Sequence, residues 1–462
     1  MSPPENIEKR LLPGEPASRA PTRIAPFARI AHQVHIDGPD RPRRRWLLGA
    51  ILLMAMGCGR FGFDSEERTW GELGDSATDT GISNSDVPVR TTRLAINARD
   101  EIFVAWTDSR TGNADVYLSH WSGSEWLGIG RSLDSGGISA DTGESLAGSI
   151  AFDAMGRPAI TWRAASADGG SPRSVYLRQW NGADWSELVG SATGRGVSVE
   201  HNPWWPKTIV DSDSRLVVAW ETYNVPGTSG GVVHLRRFDG TSWVELAGSA
   251  SGGGVSEDLG NAQGVSMAAG PDGTLVVAWA DNRDGARNIY LRQWTGSEWR
   301  DLGGSHTGSG ISQSAAESSR VHVANTASDR PVVAWLEHTG SPDEAIHLRR
   351  WDGFEWRELD GSASGTGVNG SVSPAYNPAL AVDSQGDPVV VWQSQESGVE
   401  NVHGRRWNGV TWEALGLDES ISNTPRASSW PAVAVDSQDR VVVVWEEDVG
   451  TDRCGVYLRR YE

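Results

Sequence analysis

Residues 93–139 read RLAINARDEIFVAWTDSRTGNADVYLSHWSGSEWLGIGRSLDSGGIS, and the landmarks of this stretch recur down to the C-terminus. A tryptophan closing a VVAW-like run falls at Trp106, Trp162, Trp220, Trp279, Trp335, Trp392 and Trp445, at spacings of 53 to 59 residues. That period defines seven units. Each holds four short apolar or alternating runs separated by turn chemistry. The first leads into a tight turn such as DSQGD (residues 383–387), the second is the VVVW-like run, the third resembles VYLRQW and the fourth WSEL. WNGADW (residues 180–185) joins the last two runs with the Asn-Gly signal of a hairpin. Seven four-stranded antiparallel meanders predict an all-β, seven-bladed β-propeller.

The two ends of the repeat region complete each other. The last unit stops at Tyr461 and Glu462 after three strands, while TWGELGDSATDTGIS (residues 69–83) carries only the tail of a unit. Residues 69–74 are therefore expected to supply the outer strand of the last blade and close the ring, which removes an exposed apolar face and an unpaired edge. In the hairpin between strands three and four, pairing Trp180 with Trp185 sets Arg178 opposite Glu187. The same register sets Arg236 opposite Glu245, Arg292 opposite Asp301, Arg349 opposite Glu358 and, across the seam, Arg459 opposite Glu72. A charged rung is expected beside an aromatic one.

Composition agrees with an all-β chain. Gly 55 and Trp 23 are high, lysine is almost absent beside arginine, and helix-forming runs at 3.6 spacing are missing. The formal charge of -19 becomes -23 once residues 1–57, with nine Lys/Arg against five Asp/Glu, are removed. Such a surface repels phosphate backbones, so nucleic acid is excluded as a partner class. No HExxH, GxSxG, Cys/His metal spacing or EF-hand loop occurs, and neither cofactor nor metal is expected.

RPRRRWLLGAILLMAMGCGR (residues 41–60) has a basic cluster and eleven mostly apolar residues from 46 to 56, the layout of a secretory signal too short to span a bilayer. Its AMGC (residues 55–58) resembles the lipobox of bacterial lipoproteins, which implies that Cys58 is lipidated and heads the mature chain. The expected organisation is a leader and signal over 1–57, a linker over 58–67 and the propeller over 68–462. The resemblance implies export to the bacterial cell envelope and anchoring by lipid alone, at the outer membrane or cell surface. Cys454 is the single other cysteine, so no intrachain disulfide remains once Cys58 is lipidated.

The landmark tryptophans are assigned to packing between blades rather than to a sugar-binding array, since each strand position carries one. His234, His347 and His403 share a repeat position with Tyr117, Tyr176, Tyr290 and Tyr457, which asks for a flat ring with a polar tip rather than a metal ligand. GSATGRGVS (residues 190–198) follows a strand, opens no helix and reads as a connecting loop. The Asp-box of sialidases (Ser-x-Asp-x-Gly-x-x-Trp) is missing at the third turn, where WDGFEW (residues 351–356) stands. WTDSRTGNADVYL (residues 106–118) and WADNRDGARNIYL (residues 279–291) resemble propeller repeats of bacterial and archaeal surface proteins. Like TolB-type and kelch-type propellers, those families imply binding or scaffolding.

The loops between strands two and three, and from strand four to the next blade, are long and irregular and share one face. That face is expected to gather Asp108, Glu221, Asp281, Glu337 and Glu446 with Arg110, Arg283, Trp204, Trp205, Tyr223, Tyr376 and Trp430. Acids and aromatics around a central depression suit a glycan or an envelope protein. The expected function is an envelope-anchored binding or scaffold module, monomeric, that recognises a glycan or protein through this face. The alternatives are a glycoside hydrolase or polysaccharide lyase working with paired carboxylates, and a purely structural envelope subunit.

Overall fold

A computed structural model describes residues 69–462 apart from 141–142, 166–172, 200–201, 224–227, 229, 341–343, 371–373, 397, 417–419 and 451–452. The leader, Cys58 and the linker lie outside the described residues. Seven four-stranded antiparallel sheets are present, and no helix occurs among the described residues. In the first blade the strands are Val89–Ile96, Ile102–Asp108, Asp115–Trp121 and Trp126–Gly128, hydrogen-bonded in that order. The chain is a seven-bladed β-propeller.

Second strands such as Ile102–Asp108 and Leu216–Thr222 are buried at every residue. This follows from their continuous apolar runs, which suit a strand covered on both faces. Each landmark tryptophan packs against the blade before it. Trp162 lies among Phe103, Ala105 and Leu118, and Trp279 among Val217, Ala219 and Leu235. Burying one such ring contributes roughly 4 to 6 kcal/mol as an upper bound. The repeated Tyr/His position supplies a ring against six of the landmarks, as where Tyr176 stacks on Trp162 at 5.8 Å and His234 on Trp220 at 5.9 Å, while His306 lies against Trp279.

The ring closes where the half-repeat places it. Trp70 pairs with Tyr461 and Gly71 with Arg460, and Thr69 and Glu462 exchange backbone hydrogen bonds. A cross-blade stitch runs through the seam as well. The indole Nε1 of each fourth-strand tryptophan donates to a carbonyl of the preceding blade: Trp185 to Ile129 at 2.9 Å, Trp126 to Leu73 at 2.8 Å and Trp70 to Leu415 at 3.0 Å.

The aromatic rung forms as expected, with Trp180 opposite Trp185 and Trp351 opposite Trp356. The charged rung is corrected in its hydrogen bonding. Arg349 Nη1 donates to the Ile311 carbonyl at 2.9 Å and Arg459 Nη1 to Ile421 at 2.8 Å, each in the loop after the preceding blade. Glu358 and Glu72 instead accept the turn N–H groups of Ala363 and Ala77, both at 3.2 Å. The turn five residues on draws the carboxylate toward its own N–H, and the long guanidinium donates to a buried carbonyl instead. Burial lowers the Arg459 pKa, and the charge of Glu72 across the rung works against that lowering.

Fourth strands are only two or three residues long, which leaves most of the third strand's edge bare. The Gly-Ile/Val-Ser run covers it. Ile138 N donates to Val116 O at 2.7 Å and Val116 N to Ser139 Oγ at 3.1 Å. The glycine is required there, because a Cβ on Gly137 would sit 2.3 Å from the Val116 oxygen.

Candidate functional site

The innermost strands, Val89–Ile96, Ser145–Phe152, Pro203–Val210, Gln263–Ala269, Glu317–Asn325, Ala375–Val382 and Ser428–Val435, ring the central axis. Every one loses register at the same point, as between Trp204 and Lys207 or Ser319 and His322. In six blades the bulged residue has a left-handed backbone: Thr91 (52°), Trp205 (45°), Gly264 (69°), Arg320 (53°), Asn377 (48°) and Trp430 (52°). Such strain in bulky residues costs energy and persists only where surrounding contacts hold it.

Those contacts come from the residue that follows the landmark tryptophan of the blade before. Glu446 Oε1 accepts from Thr92 N at 3.0 Å, Glu221 Oε2 from Gly264 N at 2.7 Å and Thr107 Oγ1 from Ala147 N at 3.0 Å. Arg163 Nε donates to Pro203 O at 2.6 Å. The kinks turn Trp205 and Trp430 outward, each 45 % exposed, at the mouth of the channel. Cations lie on the neighbouring rings. The Arg163 guanidinium sits 3.5 Å from the Trp204 centroid and Arg320 5.1 Å from that of Trp430.

Beneath the aromatics are ionisable groups shifted by burial. The Glu221 carboxyl is fully buried and pushed up to about 7 by that burial. It accepts from the Tyr223 hydroxyl at 2.9 Å, while its Oε1 has no hydrogen-bond partner among the described residues. Burial and Glu221 together push the Tyr223 hydroxyl well up. Burial also raises the Glu446 carboxyl and lowers the Arg163 guanidinium to about 10. One Arg163 nitrogen, Nη1, has no hydrogen-bond partner among the described residues.

The structure divides the sequence-predicted residues into two sets. Trp204, Trp205, Glu221, Tyr223, Tyr376, Trp430 and Glu446 belong to the mouth or the strand ends bordering it. Asp108, Asp281 and Glu337 do not face a central depression, and that expectation is corrected. All three are buried and accept the indole Nε1 of their own landmark tryptophan, at 2.9, 3.3 and 2.8 Å. Residues two apart on a strand share a sheet face, so a carboxylate two past the tryptophan meets its indole. A residue one past looks the other way, toward the next blade. Arg110 and Arg283 stay with Asp108 and Asp281 and cover the Tyr117 and Tyr290 rings, both at 4.3 Å.

Sequence reasoning missed Arg93, Arg163, Lys207, Arg320 and His322. No motif marks them; the bulged inner strands carry Arg93, Lys207, Arg320 and His322, while Arg163 reaches the mouth from the second strand of blade two. On the same face Gln395, Glu400, Arg426 and Asp448 border a cleft of about 570 Å³ between blades six and seven. Among the described residues no group of His, Cys, Asp and Glu is arranged to hold a metal ion.

No protein-family model matches the sequence, and no curated protein does. Solved structures of similar architecture include an ulvan lyase of a new polysaccharide lyase family, at 10 % identity over 85 % of this chain and 95 % of that one, with a TM-score of 0.49. Trypanosoma rangeli sialidase is 11 % identical over 85 % of this chain and 59 % of its own, at 0.42. An arabinofuranosidase from Fusarium graminearum is 11 % identical over 68 % and 92 %, also at 0.42. Likeness at this level concerns the fold, and the activities belong to those proteins.

Proposed function

We propose that the protein is a saccharide-binding propeller whose binding surface is the mouth of the central channel on the long-loop face. One observation carries this reading. Trp205 and Trp430 are held in a strained left-handed backbone at the same repeat position and left nearly half exposed. Core packing gives no reason to keep bulky aromatics there, whereas exposed indole faces beside buried polar groups suit the apolar faces and hydroxyls of sugar rings. A glycan array probed with the full chain and with Trp205→Ala/Trp430→Ala tests it. Binding should be lost in the double variant while the melting temperature stays close to wild type. An array signal untouched by the substitution would refute the reading.

A second reading has its own observation, the buried Glu221 carboxyl titrating near neutrality beside the Tyr223 hydroxyl. Such a pair suits proton transfer during polysaccharide cleavage. Turnover that Glu221→Gln abolishes without weakening binding would make the protein an enzyme; binding without turnover leaves it a module. Lipidation at Cys58 and residence at the bacterial envelope are part of the proposal, supported by the signal-like residues 41–60. Fatty-acid labelling that survives Cys58→Ser would remove that part.

A further inference from the structure

Lys207, on the third blade's inner strand, is one of two lysines in the chain, with Lys9. It stands two residues past the kinked Trp205. The same place holds Arg93 in blade one and His322 in blade five, and it holds Ser149, Ser266, Ala379 and Ala432 in the other four. Three alternate blades thus put basic groups at one level of the ring, with no acid at that level. Blades one, three and five share no interface, yet His322 feels both Lys207 and Arg93 electrostatically, and Lys207 feels Arg93. Arg93 approaches the Lys207 side through Gly148 of blade two, which packs against Pro206, whereas Arg93 and His322 have more than one blade between them in either direction and meet across the axis.

These groups, half-buried along the channel, lack the protein partners that desolvated charges normally have. Among the described residues, Lys207 Nζ and both His322 ring nitrogens make no hydrogen bond or ion pair. Arg93 donates from Nε to Gly148 O and from Nη1 to Thr92 O, both neutral. Of the nearby carboxylates, Glu446 accepts from Thr92 N, and Glu221 accepts from Gly264 N and Tyr223 through Oε2, its Oε1 having no hydrogen-bond partner among the described residues. The Lys207 and Arg93 cations repel each other and disfavour a charge on His322, and a protein of net charge -19 has no general need of them.

We infer that Lys207, Arg93 and His322 form an anion site on the channel axis, which receives the carboxylate or sulfate group of an acidic saccharide seated on the mouth aromatics. This rests on the reading of the mouth as a saccharide site. An anionic group would supply the missing hydrogen-bond acceptors and cancel the repulsion among the cations. Its negative charge would also offset the effect of burial and of the Lys207, Arg93 and Arg320 charges that hold the His322 imidazole down at about 3. The Lys207 ammonium, lowered to about 8 by burial and Arg93 and opposed by Glu221, would be raised again.

Calorimetric titration of the full chain with oligogalacturonate, sulfated oligogalactan and neutral oligogalactan tests the inference. At least one charged chain should bind roughly tenfold or more tighter than the neutral one, and which one does so separates carboxylate from sulfate. Lys207→Met should bring the charged chain down to the neutral chain's affinity. Equal binding of all three by wild type would overturn the anion site while leaving the mouth intact as a saccharide site. If no chain binds, the reading of the mouth fails, and NMR titration of the wild-type His322 imidazole still decides the anion site. Added sulfate or galacturonate should raise its pKa by about one unit or more, and an unchanged midpoint with both would overturn the inference.

Discussion

Glu221 and Asp108 show how one residue of offset decides the fate of a carboxylate. Glu221 follows its landmark tryptophan directly and reaches across to Gly264 at the channel mouth. Asp108 follows at two residues and turns back to the Trp106 indole inside its own blade. The buried Glu221 carboxyl carries a sign for stability. Its pKa rises from 4.5 unfolded to about 7 folded, so the native state holds the extra proton between those values. The stabilisation this gives is fully present below 4.5 and is lost as pH rises through about 7. Glu221→Gln, which cannot ionise, should therefore gain stability relative to wild type across that window, by on the order of 3 kcal/mol at most. Urea midpoints of both proteins near pH 5 and pH 8 check this, and a gap identical at the two pH values would contradict it. The landmark spacing made all these acids visible in the sequence. Their separation into two roles needed strand parity, and the kink below them had no signal, because Thr91, Trp205, Gly264, Arg320, Asn377 and Trp430 share no chemistry.

A blade is a three-stranded sheet with a short fourth strand and a folded-back edge cover. The four runs, the hairpin register and the aromatic rung were legible because strand burial and turn chemistry are local. Loop GSATGRGVS (residues 190–198) was legible only as a connection, since its role depends on contact with a strand some 20 residues earlier. Gly196, at φ 57°, lies so close that a Cβ would stand 2.2 Å from the Val175 oxygen. Gly196→Ala should lift the cover and weaken the Val197 N to Val175 O bond of 2.8 Å, costing about 1 to 3 kcal/mol. Gly71→Ala is the control, because a Cβ at Gly71 would meet nothing within 4 Å. Equal denaturation midpoints for the two variants would show that the cover is not tightly held.

Seven apolar clusters fill the seven blade interfaces, and the one at the seam joins Leu73, Val104 and Trp106 to Val442, Val444 and Leu458. Closure of the ring makes the central axis a fixed place, at which strands far apart in sequence can present groups to one another. The half-repeat at residues 69–83 foretold the closure, and the long-loop face was assigned from loop irregularity. The axis itself was hidden, because Arg93, Lys207 and His322 come together only when alternate blades are bent into a circle. The account therefore rests on a saccharide seated at the mouth with its acid group over the axis. A crystal structure of the full chain grown with an acidic oligosaccharide tests this most directly. The sugar should lie against Trp205 and Trp430 with its acid oxygen about 3 Å from Lys207 Nζ. A chain bound instead in the cleft beside Arg426 and Asp448, or on the outer edges of the blades with the mouth empty, would contradict it.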